Sequence, residues 1–173
     1  MHTYRILKMV SFVSLAALLF SGCGGKLKRL SSAELNHYNA LKVWWDADER
    51  KSYLKLKTEP ERSAWLKSQG YWDRFYQYPE ERRAEIVSGS VGVGWTYDQV
   101  YMAWGQPHQK RMAAGRQAER SELYVYRFET DYEGVMHVWY PDSKLTREAI
   151  EMFRLELYMD DGVVSLIDRQ EGL

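Results

Sequence analysis

The chain has 173 residues, with 24 basic and 24 acidic side chains and a formal charge of zero. This balance argues against a nucleic-acid-binding protein, which usually carries a basic excess. A hydrophobic fraction of 45% and an aromatic fraction of 14% argue against intrinsic disorder and are enough for one domain with a buried core. The single cysteine excludes an internal disulfide framework and any multi-cysteine metal site.

The first 22 residues have the pattern of an export signal rather than of a folded segment. Arg5 and Lys8 supply a short basic region. The apolar run over residues 9–20 follows, and it is shorter than the roughly 20 residues that a membrane-spanning helix needs. These features are typical of a secretory signal peptide, which we assign to residues 1–22.

The segment after the apolar run resembles the bacterial lipobox. Residues 19–23 read Leu-Phe-Ser-Gly-Cys, with Phe20 in place of the usual leucine. The resemblance implies cleavage before Cys23, a diacylglycerol on that cysteine and an additional acyl chain on its amine. Position 24 is glycine rather than the aspartate that retains lipoproteins in the inner membrane, so the periplasmic face of the outer membrane is the implied location. Residues 23–30 would then be a lipidated tether; the alternative is an ordinary secretory signal followed by an unmodified cysteine.

Residues 31–90 are expected to be helical. Two pairs in this region have the spacing of the capping box, in which side chains and backbone N–H groups cap each other at a helix start: Ser31 with Glu34, and Thr58 with Glu61. Strong helix formers predict two further helices, at Asp46–Lys57 and at Glu80–Ser88.

A third capping box, Thr96 with Gln99, begins the helix with the clearest amphipathic pattern. The apolar face of this helix carries four large side chains: Tyr97, Val100, Tyr101 and Trp104. Gly105 and Pro107 end the helix, and we expect Gly105 to take the left-handed conformation of a helix C-cap.

After residue 108 the hydrophobic period changes to that of strands. Segments with strand character occur at 109–112, 122–129, 135–140, 153–159 and 163–168. The Asp160–Gly162 turn is expected to join the last two into a hairpin. This order predicts an α+β fold, in which N-terminal helices are followed by the capped helix and an antiparallel sheet of three or four strands.

The sequence contains few candidates for catalysis. His37, His108 and His137 lie in separate segments, without the spacing of a metal site or of an acid–base pair. The GxSxG nucleophile motif does not occur, and the glycine-rich residues 88–94 lack the Lys-Ser/Thr ending of a phosphate-binding loop. We therefore predict no enzymatic activity, no metal and no cofactor.

Aromatic side chains are concentrated before the capped helix: Trp44, Trp45, Tyr71, Trp72, Phe75, Tyr76 and Tyr78. Most of them are expected to pack in the core, but a minority could form an exposed patch, because Trp and Tyr are enriched at protein and membrane interfaces. We select Trp72, Tyr76 and Trp139 as candidate partner-binding residues.

The capped helix also carries a family resemblance. Its sequence is similar to the signature of the BamE-like (SmpA/OmlA) lipoprotein family, Gly-Met-Thr-x-x-Gln-Val followed by Leu-Gly-x-Pro. The matching positions are Gly94, Thr96, Gln99, Val100, Gly105 and Pro107. Tryptophan replaces the family's Met at position 95 and its Leu at position 104.

The resemblance covers about residues 86–170, and we assign residues 91–173 to a BamE-like α+β domain that follows the helical region 31–90. It implies a lipid-anchored protein with a non-enzymatic role in the assembly of outer-membrane proteins. A weaker similarity to the GWxTD domain rests on residues 94–98, Gly-Trp-Thr-Tyr-Asp.

The leading functional hypothesis is a membrane-anchored scaffold or accessory factor that binds a protein partner. The resemblance implies that this partner is the outer-membrane assembly machinery. Two alternatives remain open from the sequence. One is an envelope lipoprotein with a lipid- or ligand-binding groove between helices and sheet. The other is an inhibitor of a periplasmic enzyme.

Overall fold

A computed structural model describes residues 24–141 and 149–172. These residues form seven helices followed by a five-stranded antiparallel sheet, which confirms the predicted α+β fold with one strand more than expected. The helices are α1 (Gly24–Leu27), α2 (Ser32–Leu41), α3 (Ala47–Lys55), α4 (Glu59–Ser68), α5 (Tyr71–Tyr76), α6 (Glu80–Ser88) and α7 (Tyr97–Trp104). The strands are β1 (Gln109–Met112), β2 (Ser121–Thr130), β3 (Met136–Val138), β4 (Glu151–Asp160) and β5 (Val163–Glu171).

The capping boxes predicted at Ser31, Thr58 and Thr96 are all present. Asp46 supplies a fourth, because its carboxylate accepts from the Glu49 backbone at 2.8 Å and the Glu49 carboxylate accepts from the Asp46 backbone at 2.9 Å. Each box satisfies backbone N–H groups that a helix start otherwise leaves without a partner.

Helix α3 ends at Lys55, two residues before the predicted end at Lys57. The reason is the next capping box. The N–H groups of Lys57 and Thr58 donate to the Glu61 carboxylate at 2.8 and 3.1 Å, so the chain must leave the helix before residue 57. Leu56 accordingly has an extended backbone.

Strand β2 is the centre of the sheet. Its whole length pairs with β4, whereas β1 and β3 pair with two successive parts of its other side. Strand β5 pairs with β4 and forms the opposite edge. The Asp160–Gly162 hairpin is as predicted, with Asp161 and Gly162 in the positive-φ conformations of a tight turn.

One face of the sheet packs against the helices. Tyr124, Tyr126 and Phe128 lie on this face of β2, and their partners opposite on β4 are Leu157, Leu155 and Phe153. Directly opposed residues of an antiparallel pair lie on the same face, so these six side chains form one continuous layer. Buried residues of the helices and of this layer belong to a single hydrophobic cluster, which extends from Ala40 to Val164.

The segment before α7 is attached to the sheet by backbone hydrogen bonds. Gly94 N–H donates to Val164 O at 2.7 Å, and Val164 N–H donates to Trp95 O at 2.8 Å. At the other end of α7, Trp104 Nε1 donates to Gly89 O at 2.8 Å and so ties α7 to the end of α6. Helix α7 therefore lies between the remaining helices and the sheet. None of the helices in the described ranges is both long and apolar enough to cross a membrane.

Candidate functional site

Trp72 and Tyr76 form a stacked aromatic pair on α5. They are separated by four residues, a spacing that places side chains next to each other on a helix. Their ring centroids are 4.2 Å apart and their planes are inclined by 23°. Tyr76 is 37% exposed and Trp72 is half-buried, so the pair is accessible on the surface.

Helix α2 packs against the aromatic pair through His37. The buried His37 ring lies 5.5 Å from the Trp72 ring and 5.6 Å from the Tyr76 ring, and its Nε2 is 2.9 Å from Tyr76 Oη. Burial lowers the pKa of His37; the Glu34 charge opposes this shift and the Arg83 charge reinforces it. The hydrogen bond and the ring contacts restrict the rotamers of both aromatic side chains.

Two cations lie over the rings of the pair. Lys67 Nζ is 4.7 Å from the centroid of the Trp72 ring, and Arg83 Cζ is 4.8 Å from that of the Tyr76 ring. Cations at this distance are attracted to the negative faces of aromatic rings. Each ring therefore has a cation over it, and positive charge lies beside the apolar surface that the pair still exposes.

The structure does not bring Trp139 to this pair. Its ring packs against His108, with centroids 5.8 Å apart, and Arg127 Cζ lies 5.4 Å from its centroid. The backbone N–H of Trp139 donates to Arg127 O at 2.8 Å, which continues the pairing of β3 with β2. The three predicted partner-binding residues therefore belong to two separate places, one on α5 and one beside β2.

The residues of the family-like motif have structural roles around α7. Gln99 Oε1 accepts from the Thr96 backbone at 2.8 Å, and Val100 is fully buried. Gly94 has a φ of +87°, as a turn into the helix requires. The half-buried Pro107 follows the helix end and precedes β1.

The expected left-handed C-cap at Gly105 is wrong in detail. Gly105 has a φ of +76° but a ψ of −156°, a region that is essentially restricted to glycine. Its carbonyl accepts from Tyr126 Oη at 3.0 Å, and a Cβ at this position would stand 2.9 Å from Tyr140 Oη. The ψ angle sets the direction of the Gly105 carbonyl, which accepts the hydrogen bond from Tyr126 of β2, so a contact with the sheet accompanies the extended ψ.

The structure contains a groove between the helices and the segment around β3; the sequence left a lipid- or ligand-binding groove open as an alternative but did not predict the residues that line it. Its volume is about 670 Å³. Apolar side chains from four elements or their flanking residues line it: Val43, Ile86, Val87, Met102, Trp104 and Val138. Tyr140 also lines the groove and donates from its Oη to Trp104 O at 3.3 Å. We refer to this site as the α2/α7 groove.

Lys42 and Arg50 are the charged residues among those that line the α2/α7 groove. Lys42 Nζ donates to Asn39 Oδ1 at 3.1 Å, and Arg50 Nη2 donates to Lys42 O at 3.1 Å. Loss of hydration, and then the nearby Arg50 charge, lower the pKa of Lys42. Both recorded acceptors are neutral, so this end of the groove carries positive charge.

No local sequence signal identifies the α2/α7 groove, because its walls come from segments up to a hundred residues apart.

The described residues contain no group of three or more His, Asp, Glu or Cys side chains that could hold a metal ion. His137 Nε2 lies 2.9 Å from Asp131 Oδ2, and this pair is separate from His37 and His108. Cys23, the predicted lipidation site, lies outside the described residues.

A scan against protein-family models matched no family, and searches of the curated proteins and of the solved structures found no match. The BamE-like resemblance therefore stays an expectation from the motif at α7.

Proposed function

We propose that this chain is a lipid-anchored, non-enzymatic protein of the bacterial envelope that binds a protein partner through the aromatic pair Trp72–Tyr76. The role that the motif implies is that of a scaffold or accessory factor in outer-membrane protein assembly. The observation that carries the proposal is the stacked, surface-accessible pair, which is held by the buried His37.

Large aromatic side chains that are already ordered make good interface anchors. Trp and Tyr are enriched among the residues that dominate binding energy, and truncation of such a residue often costs about 2 kcal/mol or more. Because His37 and the mutual stacking restrict both side chains before binding, little conformational entropy remains to be lost on association.

The bordering cations indicate the kind of partner. Lys67 and Arg83 place positive charge at the edge of the apolar surface. A partner surface with an apolar centre and carboxylates at its rim is complementary to this arrangement, and such charge complementarity favours specificity and the association rate.

The test is affinity capture of the full-length protein from gently solubilised membranes, with quantitative mass spectrometry of the captured proteins. We expect Trp72→Ala to reduce capture of a specific partner by at least tenfold, a loss of about 1.4 kcal/mol or more. Trp44→Ala is the matched control, because Trp44 is also half-buried and lies under the guanidinium of Arg74, 4.5 Å from its centroid.

A second variant tests how much the hydrogen bond between Tyr76 and His37 contributes to binding. Tyr76→Phe keeps the stacking surface but removes the hydrogen bond to His37, so we expect a smaller loss of capture than for Trp72→Ala. Equal capture by wild type, Trp72→Ala and Trp44→Ala would contradict the proposal. Loss of capture only in Trp139→Ala would move the interface to the neighbourhood of β3.

A further inference from the structure

The α2/α7 groove is independent of the aromatic pair and has the composition of a small-molecule site. Its volume of about 670 Å³ lies within the usual range of ligand pockets, which are mostly apolar with a few placed polar groups. Val87 lines it and remains 41% exposed, so the groove presents aliphatic surface to solvent. Binding of an apolar chain would remove that surface from water.

The charged residues that line the groove are both positive. Lys42 and Arg50 line it, and the described lining contains no Asp or Glu. Neither cation forms an ion pair with a carboxylate in the described part of the chain, and the hydrogen bonds they donate go to the neutral acceptors Asn39 Oδ1 and Lys42 O. An anion at this end would therefore find an ammonium and a guanidinium that are not already neutralised by the protein.

Size argues for a ligand with one chain. The volume matches that of a drug-sized ligand, whereas a diacyl phospholipid carries two long chains in addition to its headgroup. Three valines, Val43, Val87 and Val138, line the groove beside the two cations, which suits an acyl chain with one charged end.

We propose that the α2/α7 groove binds a single long-chain carboxylate, with the acyl chain against Val43, Val87 and Val138 and the carboxylate at Lys42 and Arg50. The guanidinium can hold a carboxylate through two parallel hydrogen bonds. This site does not depend on the protein partner proposed above, because its lining shares no residue with the aromatic pair.

The experiment uses a photoactivatable sixteen-carbon carboxylate with a diazirine in the chain, added to membranes that contain the full-length protein. After irradiation, the attachment sites are mapped by peptide mass spectrometry. We expect labelled peptides that contain Val43, Val87 or Val138, and about tenfold weaker labelling by the sixteen-carbon alcohol with the same diazirine, which has no charge.

Two variants test the assignment of the groove. Lys42→Gln with Arg50→Gln should reduce labelling by the carboxylate about tenfold. The control, Lys51→Gln with Lys55→Gln, removes the same charge from exposed positions on α3 and should retain wild-type labelling. Val87→Trp keeps both cations but fills the groove, so labelling of this variant should also be lost. It tests the groove independently if the double variant does not fold.

Three results would overturn the proposal. They are equal labelling by the alcohol, attachment sites only at residues that do not line the groove, and undiminished labelling of a folded Lys42→Gln, Arg50→Gln variant. Equal labelling by the alcohol would mean that the groove takes apolar chains without regard to charge.

Discussion

Arg62 and Glu34 form a buried ion pair that joins α4 to α2. The same Glu34 carboxylate accepts from the Ser31 N–H at 2.7 Å in the capping box of α2. Arg62 also donates to Leu56 O at 2.5 Å, at the end of α3. One guanidinium thus connects three helices in a place where its side chain is only 7% exposed.

Arg62→Ala is expected to destabilise the fold by about 3–5 kcal/mol, because it leaves the Glu34 carboxylate buried without its counter-charge. Denaturant unfolding followed by circular dichroism measures the loss. The control is Lys51→Ala, which breaks the exposed ion pair with Asp48 and should cost about 1 kcal/mol or less. A similar cost for both variants would show that the buried pair contributes no more than a surface pair.

The stability of the protein should fall when His37 becomes protonated. Burial holds the pKa of His37 in the folded state below 6.5, its usual value. Between the folded and the unfolded pKa the unfolded chain binds more protons, so stability decreases as the pH falls through about 6.5 and is fully present above it. The melting temperature should therefore decrease between about pH 7.5 and pH 5.

The His37→Gln variant should show a shallower decrease over the same interval, since glutamine does not titrate. His108→Gln provides the control for the exchange of histidine for glutamine, because His108 is exposed. If His37→Gln followed the wild-type curve, another group would have to account for the pH dependence.

Gly105→Ala should destabilise the protein by roughly 1–3 kcal/mol, since alanine is strained at the backbone angles of Gly105. Its Cβ would also stand 2.9 Å from Tyr140 Oη. Gly115→Ala is matched for positive φ but meets no atom within 4 Å, so the difference in unfolding free energy between the two variants reports the contact with Tyr140 together with the strain from the ψ of Gly105.

Tyr140→Phe removes that hydroxyl and should recover part of the loss in the Gly105→Ala background. Equal destabilisation by Gly105→Ala and Gly115→Ala, without recovery in Tyr140→Phe, would mean that the contact with Tyr140 relaxes at no cost.

Cys23→Ser should move the protein from the membrane fraction to the soluble periplasmic fraction, because it removes the acylation site that the lipobox implies. Fractionation and immunoblotting measure the distribution, and metabolic labelling with a fatty acid shows whether Cys23 is acylated. Membrane retention of a processed Cys23→Ser protein would contradict lipid anchoring through this residue.

The order of helices and strands follows from interactions between residues close in the chain. Ser31 with Glu34 and Thr96 with Gln99 are separated by three residues, so the caps could be read directly from the sequence. The Asp160–Gly162 turn and the alternation along β4 are equally local. The stacking of Trp72 on Tyr76 belongs to the same class, since residues four apart are neighbours on a helix.

Predictions from local patterns fail where another part of the chain determines the local conformation. Helix α3 ends at Lys55 and not at Lys57, because the Glu61 carboxylate of the next capping box accepts from the Lys57 N–H. The conformation of Gly105 accompanies a contact with the sheet, since its carbonyl accepts from Tyr126 Oη of β2, twenty-one residues further along the chain. Residue type alone predicts a partner-binding role for both Trp139 and Trp72, whereas the pairing of β3 with β2 places Trp139 beside Arg127.

The fold class, the helix starts with capping boxes and the hairpin can be predicted from the sequence, because each rests on hydrogen bonds or periodicity within a few residues. The support of the aromatic pair by His37, and the position of Lys42 and Arg50 at one end of an apolar groove, are visible only in the packed structure. Those arrangements bring together residues from α2, α3, α5, α6, α7 and the segment around β3. Packing of the helices against the sheet creates such proximity, and no spacing along the chain encodes it.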